Sequence, residues 1–371
     1  MRLTRIALSN FRNYETLEVE PTGGLNAFVG VNAQGKSNLL EAVAMLGTGK
    51  SFRSSHDGHA VRWGSERAVV RGEALGNAGE VVLACTIARA ANATRKTYTL
   101  NGRDVRYSGF LGRLRVVTFV PADLHLAGGA PSLRRGFLNG ALAQTDPRYY
   151  RALAAYRKAL QQKNALLRAP ADPDSELLGV YDRALVENGT EIVLHRARFV
   201  EEIAAAAREA HARFSAGREI LEVAYEPDVA FEAPTPEAVS AALADRFAQV
   251  AERERLRKAA VAGPHRDDLA LAIDGRSLAA YGSQGQQRTA VLALKVAEYA
   301  VARTRAGEAP LLLLDDVLSE LDEERSAAFL AGIGEYEQAF VTATHAPAEL
   351  SHSARIYTVA GGCVLAETAA C

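Results

Sequence analysis

Eight residues constrain this chain more than any others: Gly30-Val31-Asn32-Ala33-Gln34-Gly35-Lys36-Ser37, a complete GxxxxGK[ST] pattern. An apolar run, Leu25–Val29, enters it. The run NLLEAVAMLG leaves it, with Leu39, Leu40, Val43 and Leu46 at helical spacing on one face. Strand, glycine loop and helix in this order let backbone N–H groups turn inward on phosphate oxygens, aided by the positive end of the helix. Lys36 then contacts the β- and γ-phosphates, and the Ser37 hydroxyl ligates Mg²⁺. Gly30 through Asn38 form the expected binding segment. The pattern demands an α/β fold and a nucleoside triphosphate, and does not separate ATP from GTP.

The second half of such a site stands at residues 311–322, LLLLDDVLSELD. Four consecutive leucines read as a strand of a parallel sheet buried on both faces, and ligands of open α/β sheets sit at the carboxyl ends of strands. Asp315 emerges there and can hold Mg²⁺ directly or through water. Asp316 follows, placed to polarise an attacking water. The alternative is a capping pair for a helix beginning near Asp322 or Glu323. Coupled to Lys36, the catalytic reading is the stronger.

Between the two halves lies Tyr281-Gly282-Ser283-Gln284-Gly285-Gln286-Gln287-Arg288, followed by a helical run, Thr289–Arg303. Standing alone it is a Ser/Gln-rich helix cap. It is also similar to the signature of the ABC ATPases, usually LSGGQ. That likeness makes Ser283, Gly285 and Gln286 a second anion site, aimed away from the protomer's own nucleotide. Ser319-Glu320-Leu321-Asp322 resembles the D-loop of that class through Ser319 and Asp322. His345, just past the strand AFVTAT, resembles the switch histidine that senses the γ-phosphate. The order of the motifs, more than any one of them, points to the class.

Charge is segregated along the chain. Residues 89–168 hold 15 Lys/Arg against three Asp, a surplus of +12 that leaves −13 for the remainder of a chain whose net charge is −1. Such a segment can build a phosphate-attracting face, with Arg89, Arg95, Lys96, Arg103, Arg106, Arg134 and Arg135 as candidate DNA contacts. The alternative is that these side chains are solvated or paired with acids; for Arg134 and Arg135 the choice is between DNA and a neighbouring acid. The three cysteines, Cys85, Cys363 and Cys371, lie far apart with no metal-ligand spacing, which fits a reducing compartment. With no signal-like start and no apolar run of about 18 residues, the expected location is the cytoplasm, with no membrane partner.

Strand-like runs fill the first part of the chain, LTRIALSNF, LEVEP and LNAFVG, then 68–74, 80–88, 95–100 and 115–120, with Asn101-Gly102 as a hairpin signal. From about Pro131 to Lys258 the texture turns to long Ala-, Arg- and Glu-rich helices, broken at 169–175 and 226–236. Tyr225, Val229 and Phe231 suggest a short strand pair at the second break. Strands return at 269–273, 311–314, 339–343 and 355–366, with helices at 284–303 and 323–331. The expected organisation is a head split into residues 1–125 and 263–371, with a mainly helical arm, 126–262, inserted between.

Beyond the class motifs, Asn10-Phe11-Arg12-Asn13-Tyr14, the run 30–42, Ser51-Phe52-Arg53, PADLHLAGGAPSLRRGFLN (121–139), Gly263–Leu269 and LLLLDDVLSELD resemble the RecF family, in the SMC-like branch of the ABC ATPases. The resemblance covers both ends and part of the insertion; 140–260 matches only in texture. It implies an ABC-type ATPase head, with a parallel phosphate-loop sheet beside an antiparallel β layer, and a helical arm in place of SMC coiled coils. It implies ATP, with Mg²⁺, sandwiched between two heads of an ATP-dependent homodimer: Lys36, Ser37 and Asp315 serve a protomer's own nucleotide, Ser283 and Gln286 the partner's. The family binds duplex, gapped or junction DNA, works with RecR and RecO, and supports loading of the RecA recombinase.

Departures are visible. Ala33 stands where the class usually has Gly, and Ala122 where RecF proteins often have an acid. Asp316 replaces the usual Glu, a shorter reach that implies slow hydrolysis. No glutamine near Phe119-Val120-Pro121-Ala122 serves as a Q-loop. Arg12 either touches nucleotide or pairs with an acid, and Arg53 divides in the same way. The block His265-Arg266-Asp267-Asp268 reads either as a metal or catalytic cluster or, preferably, as a turn in which Arg266 and an Asp fix the two domains together.

Overall fold

The computed structural model describes residues 1–90, 93–170, 174–317, 329, 336–345 and 354–366. The chain forms two compact units, Met1–Leu124 with Glu298–Cys371, and His125–Ala297. The first boundary falls within a residue of the expected one. The second differs: residues 263–297, which the sequence reading assigns to the head, join the unit of the helices. The reason is strand pairing, described below.

In chain order the first unit opens with β1 (Arg2–Phe11), β2 (Tyr14–Val19), β3 (Gly24–Val29) and helix α1 (Lys36–Thr48). Next come β4 (Arg67–Gly76), β5 (Gly79–Ala90), β6 (Ala93–Leu100), β7 (Arg103–Val105), the short α2 (Tyr107–Phe110) and β8 (Val116–Phe119). The second unit contains α3 (Pro131–Thr145), α4 (Pro147–Leu167), α5 (Ser175–Phe214), β9 (Leu221–Glu226), α6 (Pro236–Arg257), β10 (Asp268–Ile273), β11 (Arg276–Ser277) and α7 (Leu278–Tyr281). Helix α8 (Gln284–Ala306) leads back to β12 (Leu311–Asp315), β13 (Gln338–Ala343), β14 (Ala354–Ala360) and β15 (Cys363–Ala366).

Two six-stranded sheets make the first unit, one antiparallel in the order β2-β1-β4-β5-β6-β7, the other in the order β15-β14-β3-β13-β12-β8. Among the described residues of the second sheet, only the β14–β15 pair is antiparallel. The hairpin joining β6 to β7 has Asn101 and Gly102 both at positive φ, 51° and 76°, the backbone a two-residue primed turn requires. Helix α1 touches strands of both sheets. Its residues Leu39 through Gly47 are all buried, so the one apolar face expected from sequence extends all the way round, as a helix at the centre of a core requires. One cluster of buried side chains runs from Leu3, Ile6 and Val70 through Leu40, Val43 and Leu46 to Leu311, Leu313 and Phe340. Gln338, 0% exposed, clips the layers together: Leu3 N donates to its Oε1 at 2.7 Å, and its Nε2 donates to Leu3 O at 2.9 Å and Thr22 O at 2.8 Å. A buried amide so fully satisfied costs little and fixes register.

The second unit is helical with one small sheet, β11-β10-β9. Pro at the first turn and a capping side chain start α4 and α6: Asp146 accepts from Arg148 N and Tyr149 N at the start of α4, and Thr235 accepts from Ala238 N at α6. Along the 40-residue α5 the buried positions Leu185, Gly189, Ile192, Arg196, Phe199 and Ile203 alternate steps of four and three, a heptad-like stripe. Strand β9 pairs antiparallel with β10, Leu269 opposite Tyr225 and Leu271 opposite Val223. The expected partner of Tyr225, within the break itself, is thus replaced by a segment forty residues on, which carries 263–297 into this unit. No helix among the described residues is long and apolar enough to cross a membrane.

Candidate nucleotide site

The loop between β3 and α1 is curled by three residues of positive φ: Gly30 at 151°, Ala33 at 65° and Gly35 at 121°. Backbone of this kind makes the concave run of N–H groups that holds anions. Glycine is obligatory at two of them. A Cβ on Gly30 would stand 2.3 Å from Val359 O, and one on Gly35 would stand 2.7 Å from Asn13 Nδ2 and from the Tyr14 hydroxyl. Ala33 carries its left-handed conformation with a side chain, a cost of about 1 kcal/mol.

The segment Asn10–Tyr14 braces this loop. Asn13 Nδ2 donates to Gln34 O at 2.9 Å, the Tyr14 hydroxyl donates to Gly35 O at 2.9 Å, and Asn38 Nδ2 donates to Asn13 Oδ1 at 2.8 Å. Arg12 is committed to an acid: Nε and Nη2 bind Glu41, 0% exposed on α1, at 2.8 and 2.6 Å, and Nη1 donates to His59 O at 2.8 Å. Ser51 donates to the same carboxylate. Arg53 donates to Asn38 Oδ1. Lys36 is 7% exposed and donates to Gly30 O and, at 3.0 Å, to Val31 O. Burial lowers its pKa, opposed by the charges of Asp316 and Asp315.

Strand order explains how the acids reach the loop. β13 lies between β3 and β12, which puts the phosphate loop and Asp315 two strand spacings apart, roughly 10 Å. Thr342, opposite Asp315 in the β12–β13 register, fills the interval. It donates to Asp315 Oδ1 at 2.9 Å and accepts from Asp316 N at 2.9 Å. Asp316 has φ of 54°, a left-handed turn that Asp tolerates.

A cavity of 610 Å³ opens at this point, lined among the described residues by Arg12, Lys36, Arg53 and Arg89 against one carboxylate, Asp316. Asn32, Ala33, Gly35, Ser37, Asn38 and Thr342 line it too, with His59 and Trp63. Its positive lining suits a polyphosphate. Ser37 and Asp315 supply hydroxyl and carboxylate oxygens, the hard donors Mg²⁺ prefers, and Mg²⁺ typically takes only one or two protein ligands besides phosphate and water.

Other expected site residues lie elsewhere. Val31, 69% exposed, Gln34, Gly30 and Asp315 do not line the cavity; Gln34 instead accepts from Gly361 N at 2.7 Å. His345 is exposed just beyond β13, its Nδ1 3.2 Å from Thr344 Oγ1, and lines no part of it. Ser319 and Asp322 lie outside the described residues. Ser283, Gly285 and Gln286 begin α8 in the second unit, with Ser283 exposed. No motif marked Thr342, Trp63 or His59. The strand AFVTAT carried the only hint of Thr342.

The basic candidates divide. Arg89 lines the nucleotide cavity and donates to Gly58 O and Val61 O. Lys96 pairs with Asp57 at 2.8 Å. Arg134 is corrected outright: 7% exposed, it binds Asp268 in a two-pronged pair at 2.7 and 2.6 Å and also donates to Leu126 O and Gly129 O, so its acid is its partner. Arg135, half-buried, donates to Asp267 O. Arg95, Arg103 and Arg106 are exposed at the β6–β7 edge of the antiparallel sheet. The block Gly263–Asp268 gathers no metal-type cluster among the described residues. Its Asp267 pairs with Arg196, 2% exposed, at 2.6 Å and accepts from Tyr225 and Asp228 N. The arginines that anchor the turn are therefore Arg134 and Arg196, not the exposed Arg266.

The family model for the RecF/RecN/SMC N-terminal domain matches residues 2–362. A DNA replication and repair protein RecF of Geobacillus thermodenitrificans is 37% identical over 99% of this chain and 100% of its own length. One from Symbiobacterium thermophilum is 41% identical over 93% of this chain and 92% of its own. Among solved structures, the recombination mediator protein RecF with ATP, of the RecFOR pathway, superposes with a TM-score of 0.90 at 30% identity, covering 99% of this chain and 97% of that one. An SMC head bound to the winged-helix domain of ScpA shares the fold at a TM-score of 0.57 and 18% identity.

Proposed function

Since the chain belongs to the RecF family of DNA replication and repair proteins and has the ABC-type ATPase head fold, we propose that it is an ATP-gated DNA clamp of recombinational repair. The observation that carries this reading is the braced phosphate loop facing Asp316, with Thr342 tying Asp316 to Asp315, on a cavity of surplus positive charge.

ATP enters as substrate, its phosphates on the N–H groups of residues 30–37 and on Lys36. When Mg²⁺ is bound, through Ser37 and Asp315, it neutralises the phosphate oxygens. Lys36 exchanges its loop carbonyls for phosphate. Asp316 accepts a proton from the attacking water, slowly because its side chain is one methylene shorter than Glu. The γ-phosphate is met by Ser283 of a second copy, so an ATP-dependent homodimer forms, with His345 as the sensor of that phosphate and Ser319 and Asp322 at the junction. Closure sets basic surfaces against duplex, gapped or junction DNA, where phosphate contacts supply most of the affinity. Hydrolysis removes the bridging charge and the heads part. RecR and RecO are the expected partners, and support of RecA loading the outcome.

The test is DNA binding followed by fluorescence anisotropy on a gapped duplex with and without ATP. The wild type should bind more tightly with ATP, and Lys36→Ala should lose that response. An unchanged ATP response in Lys36→Ala would remove the reading.

A further inference from the structure

The signature segment is anchored by a residue that no motif marks. At the start of α8 the Ser283 Oγ accepts from Gln286 N at 3.2 Å, while Gln286 Oε1 accepts from Ser283 N at 3.0 Å. This is a reciprocal capping box. It leaves the Ser283 hydroxyl proton free to donate outward. The amide nitrogen of Gln286 is also used: Nε2 donates to Glu219 Oε1 at 2.9 Å. Glu219 comes from the loop between α5 and β9. Its other oxygen, Oε2, stands 3.8 Å from Nε2 of His211, which is 0% exposed in the last turn of α5.

We infer that Glu219 is the positioning residue of the signature, fixing which end of the Gln286 amide faces Ser283. A glutamine at the third position of a helix can present either its oxygen or its nitrogen to the cap. Only the oxygen can accept from Ser283 N. A carboxylate accepts and never donates when ionised, so Glu219 demands the nitrogen and leaves the oxygen to the cap. The hydrogen bond is charge-assisted, stronger than a neutral one. Glu219 also stands against the end of the 40-residue α5, so displacement of that helix end is transmitted to the orientation of Ser283. This role rests on the reading of Ser283 as a ligand of the partner's nucleotide.

The chemistry orders a substitution series. Glu219→Gln keeps an acceptor oxygen and should preserve the cap; Glu219→Ala removes the restraint; Glu219→Lys offers only donors and should turn the amide the wrong way. The experiment measures, on the full chain, labelled-ATP affinity and ATP-driven dimerisation by sedimentation, with melting temperature and Ser283→Arg as controls. ATP affinity of the separate protomers should stay within about twofold across the series, because the phosphate loop is untouched. The dimerisation constant should weaken about tenfold or more for Glu219→Ala and Glu219→Lys, the expected effect of losing a hydrogen bond to a charged group, and less for Glu219→Gln. The inference is overturned if Ala and Lys variants dimerise like wild type while Ser283→Arg does not. It is also overturned if Gln loses as much as Lys, or if melting temperature and ATP affinity fall together with dimerisation. Normal dimerisation of Ser283→Arg would instead bring down the signature reading, and this inference with it.

Discussion

Arg12→Met tests whether Arg12 is part of the scaffold or a ligand of nucleotide. Its guanidinium makes two hydrogen bonds to Glu41, a carboxylate with 0% exposure that, among the described residues, is otherwise hydrogen-bonded by Ser51. Removing one partner of a buried pair typically costs 3–5 kcal/mol, because the remaining charge stays desolvated. Arg12 itself is 17% exposed at the side chain, which favours the lower end, about 3 kcal/mol. For a unit of this size each kcal/mol shifts the melting temperature by roughly 2–4 °C, so Arg12→Met should melt about 6–12 °C earlier. Arg12→Met/Glu41→Leu should recover most of that loss, since replacing both members by apolar groups is often near neutral. Differential scanning calorimetry of the two variants reads both numbers, and labelled-ATP titration below the transition reads the site. If Arg12→Met melts within about 2 °C of wild type and loses ATP affinity instead, the scaffold argument is refuted and Arg12 is a nucleotide ligand.

Ala33→Gly should relieve the left-handed strain at φ of 65° and raise stability by up to about 1 kcal/mol, read by calorimetry; a destabilised variant would mean that chain entropy outweighs the strain. Arg95→Ala/Arg103→Ala/Arg106→Ala should flatten the slope of log K against log salt on duplex DNA by up to about 2.7, about 0.9 per phosphate contact. An unchanged slope would exclude the β6–β7 edge from the DNA surface. Burial, with the charges of Arg266, Arg135 and Lys163 and against the Ala260 carbonyl, pushes the His265 ring down to about 4. A folded-state pKa below the unfolded value means the neutral ring's contribution is complete above pH of about 6.5 and lost as pH falls toward 4. The acid-side loss of stability, followed through the melting temperature, should therefore be smaller in His265→Gln than in wild type, by on the order of 3 kcal/mol at most; parallel declines would contradict it.

What sequence reveals here depends on how local the cause is. The phosphate loop, the Leu311–Asp315 strand and the Asn101-Gly102 turn were legible because each is specified by neighbours in the chain. Thr342 and Gln338 were not, since their roles arise from partners in other strands, Asp315 and Leu3. Charge misled in the same way. Arg134 and Lys96 counted toward a basic face, yet each is spent on an acid distant in sequence, Asp268 and Asp57. Arg196 sits at a core position of the α5 stripe, where sequence predicts an apolar residue. Asp267 and Pro264 O, brought there by the Gly263–Leu269 turn, explain it together with Asn139 and Tyr149. The end of the insertion was misplaced because the β9–β10 pairing joins segments on either side of α6.

The central claim is that ATP joins two heads through a signature serine supplied in trans. Sedimentation of the purified chain with and without ATP·Mg²⁺, wild type against Ser283→Arg, tests it most directly. The account predicts a dimer only for wild type with ATP, and unimpaired ATP binding by the variant. A wild-type monomer under all conditions, or a Ser283→Arg variant that dimerises normally, would contradict it.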